Sequence, residues 1–209
     1  MRKSYGTATA RRLPRPGRGQ LFTLMAAAVA VAAALLVVLS PPGVPADGET
    51  RGGVTETRFG PLSADDRDLV SKVRQAGLWE TPAGQQAQQR ASSPRVKEIA
   101  DMIAEQHMQL DEDVRGTAQR LGVILPSEPN ASQKGWLAEM SGEFGADFDR
   151  TFVLRLRSAH GKVFALIAKV RAQTQNAEVR AFAERCLKYV NTHMTLLEST
   201  GLVTEPALS

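Results

Sequence analysis

Between Ser93 and Leu121 the apolar residues Val96, Ile99, Ile103, Leu110, Val114 and Leu121 recur at steps of three, four or seven. That is the spacing of one face of an α-helix. His107 falls on the same stripe, so it points into whatever layer its neighbours bury. Ser93 followed by Pro94 predicts the helix start, because serine caps a free backbone N–H and proline at the first helical position has none to leave unpaired. Gly122 predicts the stop.

Three more long helical patterns follow the same logic. The first, from about Ser63 to Ala91, opens on a serine cap with Asp65 and Asp66 in its first turn. Its stripe is Leu69, Val73, Ala76, Glu80, Ala83 and Ala87, which places a carboxylate at a core-facing position. Pro82 removes a helical hydrogen bond, so a kink or restart is expected just beyond Glu80. The pattern from about Ala146 to Thr174 carries Asp149, Val153, Leu156, His160, Val163 and Ile167. The last runs from an Asn176 cap to about Thr200 with Val179, Phe182, Cys186, Val190, His193 and Leu197 inside. A connection of about twenty residues between the second and third long helices holds a short helix around Gln133 to Met140. No segment alternates with a period of two, so the expected fold is all-α, an up-and-down four-helix bundle over residues 62–203.

Ahead of this domain the pattern changes. Residues 1–20 form a basic tail with six Lys or Arg and no acid, and residues 21–39 are an uncharged apolar run of nineteen. A helix of that length crosses a bilayer core of about 30 Å, and the basic flank favours a cytoplasmic N-terminus. A single-pass anchor with the helical domain outside is therefore expected. The alternative is a signal segment cleaved near Ala46, releasing a secreted domain. Residues 40–61 hold four prolines and five glycines and read as a flexible linker.

The charge belongs to the tail. Without its six basic residues the chain carries 20 basic against 22 acidic groups, so the formal charge of +4 is no sign of nucleic-acid binding. The single cysteine, Cys186, excludes an internal disulfide. No nucleophile–base pair, phosphate loop or zinc-finger spacing occurs, which leaves catalysis by such groups without support.

Several residues carry a resemblance: Gly77-Leu78-Trp79-Glu80, Val96-Lys97 with Ala100 and His107, Leu125-Pro126, Gly145 with Phe148-Asp149, His160, and Phe182-Ala183 with Leu187 and His193. In their order and spacing, residues 62–203 resemble the ferritin-like family called domain of unknown function 4142. The resemblance implies a four-helix fold and an envelope setting, and it supplies no activity.

Counted from the turns, Glu80, His107, His160 and His193 stand at one height to within one or two residues, about 2 to 3 Å. Three imidazoles and a carboxylate are a chemically sensible ligand set for zinc, copper, iron or manganese. A ferritin-type dinuclear site is not expected, because no histidine has a glutamate three residues before it. Met108 and Met194 follow histidines directly but point about 100° away, and are read as packing residues. Asp149, three turns from His160, is read as a helix-start residue. Two functional classes follow: a membrane-tethered bundle binding a metal or small ligand in its core, or a metal-free structural or interaction module of the envelope, with an envelope protein as partner, whose buried Glu/His cluster fixes the packing.

Overall fold

The computed structural model describes residues 53–204. The basic tail, the apolar run at 21–39 and most of the expected linker lie outside the described residues. Five helices make up the fold: α1 Ala64–Arg90, α2 Pro94–Leu121, α3 Ala131–Ser141, α4 Gly145–Gln173 and α5 Ala177–Glu198. Their starts are set by local chemistry. Ser63 accepts from the Asp66 N–H while the Asp66 carboxylate accepts from the Ser63 N–H, a reciprocal capping box. Ser93 and Asn176 cap α2 and α5 as their sequence positions predict, and Gly122 ends α2 in the left-handed conformation. α1 runs through Pro82 as one continuous helix, so the restart expected there does not occur.

The end of the expected linker is part of the fold. Thr55 and Leu62 pair as an antiparallel bridge, and the Ala177 N–H donates to the Phe59 carbonyl at 2.9 Å. The Asn176 amide nitrogen donates to Thr57 Oγ1 and to the Gly60 carbonyl, so this one residue both caps α5 and holds the strap. Gly60 sits at φ +102°, and a Cβ there would lie 2.7 Å from the Gln175 carbonyl oxygen. Only glycine allows that approach. Gly60, one of the glycines that suggested an extended linker, thus serves a tight turn over the bundle end.

The direction of the helices corrects the expected alternation. Gly145 bridges to Ala91, and Lys169 near the end of α4 pairs with Asp65 at the start of α1. α4 is therefore antiparallel to α1 and parallel to α2. Arg120 near the end of α2 pairs with Glu178 at the start of α5, and Arg95 reaches Ser199 at the opposite end. The bundle is two antiparallel hairpins, α1/α2 and α4/α5, with the order up, down, down, up. The physical cause is the connection from residue 122 to 144, which returns along the bundle instead of turning at its end. α3 lies in that connection, tied to the end of α1 by Gln86 to Ser141 and by Arg90 to the Glu143 carbonyl.

Nearly all the predicted stripe positions are buried, and they form two separate apolar clusters. One holds Leu69, Val73, Leu110, Val114, Ile167, Phe182 and their neighbours; the other holds Trp79, Ile99, Ile103, Phe148, Phe152, Leu156 and theirs. In α2, α4 and α5 the break between the buried clusters falls where His107, His160 and His193 stand, and in α1 Glu80 follows Trp79 at the near edge of the second cluster. Among the described residues no helix is long and apolar enough to cross a membrane.

Candidate metal centre

Each long helix contributes one polar side chain to the layer between the two clusters. Glu80 from α1, His107 from α2, His160 from α4 and His193 from α5 are 1–4% exposed. One donor atom from each lies within 4.8 Å of the others. The shortest approaches are His160 Nε2 to His193 Nδ1 at 2.9 Å, Glu80 Oε2 to His107 Nε2 at 3.0 Å, and Glu80 Oε2 to His160 Nε2 at 3.5 Å. Two donors each about 2.1 Å from a metal stand about 3.0 Å apart at a right angle and about 3.4 Å at the tetrahedral angle.

Hydrogen bonds behind the layer decide which atoms face it. His160 Nδ1 lies 2.8 Å from the Leu156 carbonyl oxygen, which only accepts, so Nδ1 carries the proton and Nε2 is a bare lone pair. His193 Nε2 lies 2.9 Å from the Gln106 side-chain amide, whose oxygen takes the Nε2 proton in this orientation and whose nitrogen, with the amide turned over, puts the proton on Nδ1. Burial disfavours the charged form of both imidazoles. It lowers the His160 pKa against the pull of Glu80, and takes His193 down to about 2 with help from His160 and His107. His160 Nε2 and His193 Nδ1 stand 2.9 Å apart, a hydrogen bond when His193 carries its proton on Nδ1 and two opposed lone pairs when it carries it on Nε2. Glu80 Oε2 and His107 Nε2, although close, are not aligned for a hydrogen bond and have no other partner.

Burial alone would push the Glu80 carboxyl up. The histidines, His160 first, then His107 and His193, outweigh it and bring the pKa down to about 2. The layer is thus a carboxyl group with three imidazoles gathered about it. The four donor atoms, within 4.8 Å of one another, form a cluster that could hold a metal ion.

The structure also places the other candidate residues. Asp149 is no local cap: its carboxylate accepts from the Ser92 N–H, the Ser92 hydroxyl and the Ser93 N–H across the bundle. Met194 packs against the apolar core, but Met108 is 59% exposed, contrary to the packing role expected of it. Cys186 is buried two turns along α5 from His193, and burial pushes its thiol up, away from reactivity. Gln106 escaped the sequence reading because it sits one residue off the α2 stripe. Only the facing α5 makes it the partner of His193.

Fold and site together define a class: an all-helical bundle divided by a buried layer of one carboxylate and three imidazoles that is able to hold a metal ion. The profile of the family described as Domain of unknown function (DUF4142) matches residues 55–199, and the chain belongs to that family. No curated protein and no solved structure matches the chain.

Proposed function

We propose that this protein binds one transition-metal ion at the middle of its bundle through Glu80, His107, His160 and His193. The observation that carries the reading is the convergence of four buried donor atoms within 4.8 Å of one another, those of Glu80 and His107 having no hydrogen-bond partner. Three imidazoles and one carboxylate, without a thiolate, suit zinc, copper(II), iron or manganese. The single long crossover between two hairpins is the order of ferritin-like bundles, which supports placing the domain among them. The basic tail and apolar run at residues 1–39 support tethering to the cell membrane with the bundle on the outer face.

The test is elemental analysis of the full chain, purified without a histidine tag, beside His107→Ala and His160→Ala variants. Near-stoichiometric metal in the natural protein, lost in both variants while helicity is retained, is the expected result. No bound metal after incubation with zinc, copper, iron and manganese salts overturns it. In that case the layer is a metal-free packing device, a reading favoured by the pairwise contacts of His160 with His193 and of Glu80 with His107. It requires the Gln106 amide to turn over, so that its nitrogen donates to His193 Nε2 and His193 Nδ1–H donates to His160.

A further inference from the structure

His193 is the one member of the polar layer whose hydrogen bonding leads outward. Its Nε2 lies 2.9 Å from the side chain of Gln106, which is half-buried and lines a surface groove of about 300 Å³ between α2 and α5. Tyr189, also half-buried, lines the same groove with its ring 6.4 Å from that of His193. Glu105, Gln109 and Lys188 form an exposed rim. Gln106 therefore stands between the groove and the layer.

The other three members are held away from solvent. His160 Nδ1 is tied to the Leu156 carbonyl of its own helix, and neither ring nitrogen of His107 has a partner. A second cavity, on the opposite face between α1 and α4, borders Glu80. That side is shut: Trp79 and Glu80 are 1% and 3% exposed, and Glu80 Oε2 is turned onto His107 and His160 at 3.0 and 3.5 Å. Opening it means displacing a buried indole, whereas opening the α2–α5 side breaks one hydrogen bond and turns side chains at the surface.

We propose that the groove between α2 and α5 is the entrance through which a divalent cation reaches the layer, with Gln106 as its lid and His193 as the ligand that meets the ion first. The inference rests on the metal site proposed above. When Gln106 swings toward solvent, the His193 ring loses its outer partner and is free to turn into the groove. There a ring nitrogen takes the hydrated ion, and the return of the ring delivers it to Glu80, His107 and His160. No helix has to move. At the rim the Glu105 carboxylate attracts a cation and the Lys188 ammonium repels it, so these charges act on the rate of arrival and not on the finished site.

The test is stopped-flow uptake of zinc by the EDTA-dialysed full chain, with release from the loaded chain to excess chromophoric chelator. The natural protein is compared with Gln106→Ala, Lys188→Gln and Lys162→Gln at about 0.15 M salt, where an exposed charge acts over about 8 Å. Gln106→Ala should speed uptake about fivefold, the weight of the one neutral hydrogen bond that the lid breaks, and release by at least as much. A residue that only supports His193 would change release and leave uptake as it was. Lys188→Gln should speed uptake about twofold with release unchanged. Lys162, exposed beside the cavity on the opposite face, should make no difference. Unchanged uptake in Gln106→Ala overturns the entrance, as does faster uptake in Lys162→Gln in place of Lys188→Gln; zinc bound at equilibrium in either case leaves the metal site standing. Absence of zinc uptake by the natural protein overturns the site and the entrance together.

Discussion

Gln106 is the residue on which the two readings of the polar layer divide. If a metal occupies the layer, the Gln106 oxygen accepts from His193 Nε2–H and keeps Nδ1 free to ligate. A carboxylate does the same more strongly, so Gln106→Glu should retain or raise metal affinity. Gln106→Leu should lower it by about 10- to 100-fold, the usual cost of losing such a supporting partner. If the layer is metal-free, the preference reverses, because His193 Nε2 then needs a donor and a carboxylate opposite it is an unpaired acceptor. Competition titration against a chromophoric chelator, with thermal unfolding of the same variants, separates the outcomes. A Gln106→Glu protein that loses stability and gains no affinity would sink the metal assignment.

At the scale of the helices, the notable feature is how closely α1 and α2 approach beside the site. A Cβ built on Gly84 would lie 2.7 Å from the Ala100 carbonyl oxygen and 2.8 Å from the Ala104 Cβ. Glycine in a helix interior ordinarily costs about 1 kcal/mol relative to alanine. At this position the close packing outweighs propensity, since the obstacles are backbone and a short side chain that cannot swing away. Gly84→Ala should therefore destabilise the bundle by about 1–3 kcal/mol, the range for overpacking, measured as a lowered denaturant midpoint with an unchanged slope. A stabilised variant would show that α1 and α2 can separate freely.

The height of the polar residues is also a property of the helices. Counting residues from the turns placed His107 and His160 level under an alternating topology that the chain does not adopt. The count nevertheless holds, because each residue lies near the midpoint of a helix of 28 or 29 residues. A midpoint keeps its height when the helix is reversed. A site nearer a helix end would have been misplaced by the full length of the bundle.

For the molecule as a whole, Asp149 joins the two hairpins at one end. It is 4% exposed and takes three hydrogen bonds from the α1–α2 turn, so Asp149→Ala leaves those donors without partners where α4 begins. A loss of about 2–3 kcal/mol is expected from the buried unsatisfied groups, read as a drop in Tm. Full stability in the variant would mean that water replaces the carboxylate at that joint. At the opposite end, Asn176 plays the corresponding part between the α4–α5 turn and the strap. Each end of the bundle is thus closed by one buried polar residue acting far from its own position in the chain.

The sequence by itself determined the helices, most of the core and the four members of the polar layer. These follow from the 3.6-residue period, which is local: a residue's face is set by its neighbours a turn away. It was silent on matters fixed by residues far apart in the chain. The parallel course of α2 and α4 depends on where α3 packs, and α3 is a short helix with no strong apolar stripe of its own. The strap at residues 53–61 depends on Asn176, more than a hundred residues later. The tautomer of His193 depends on Gln106, which reaches it only because α5 lies against α2. Periodicity tells a side chain which way to point, and only the tertiary structure supplies what it meets there.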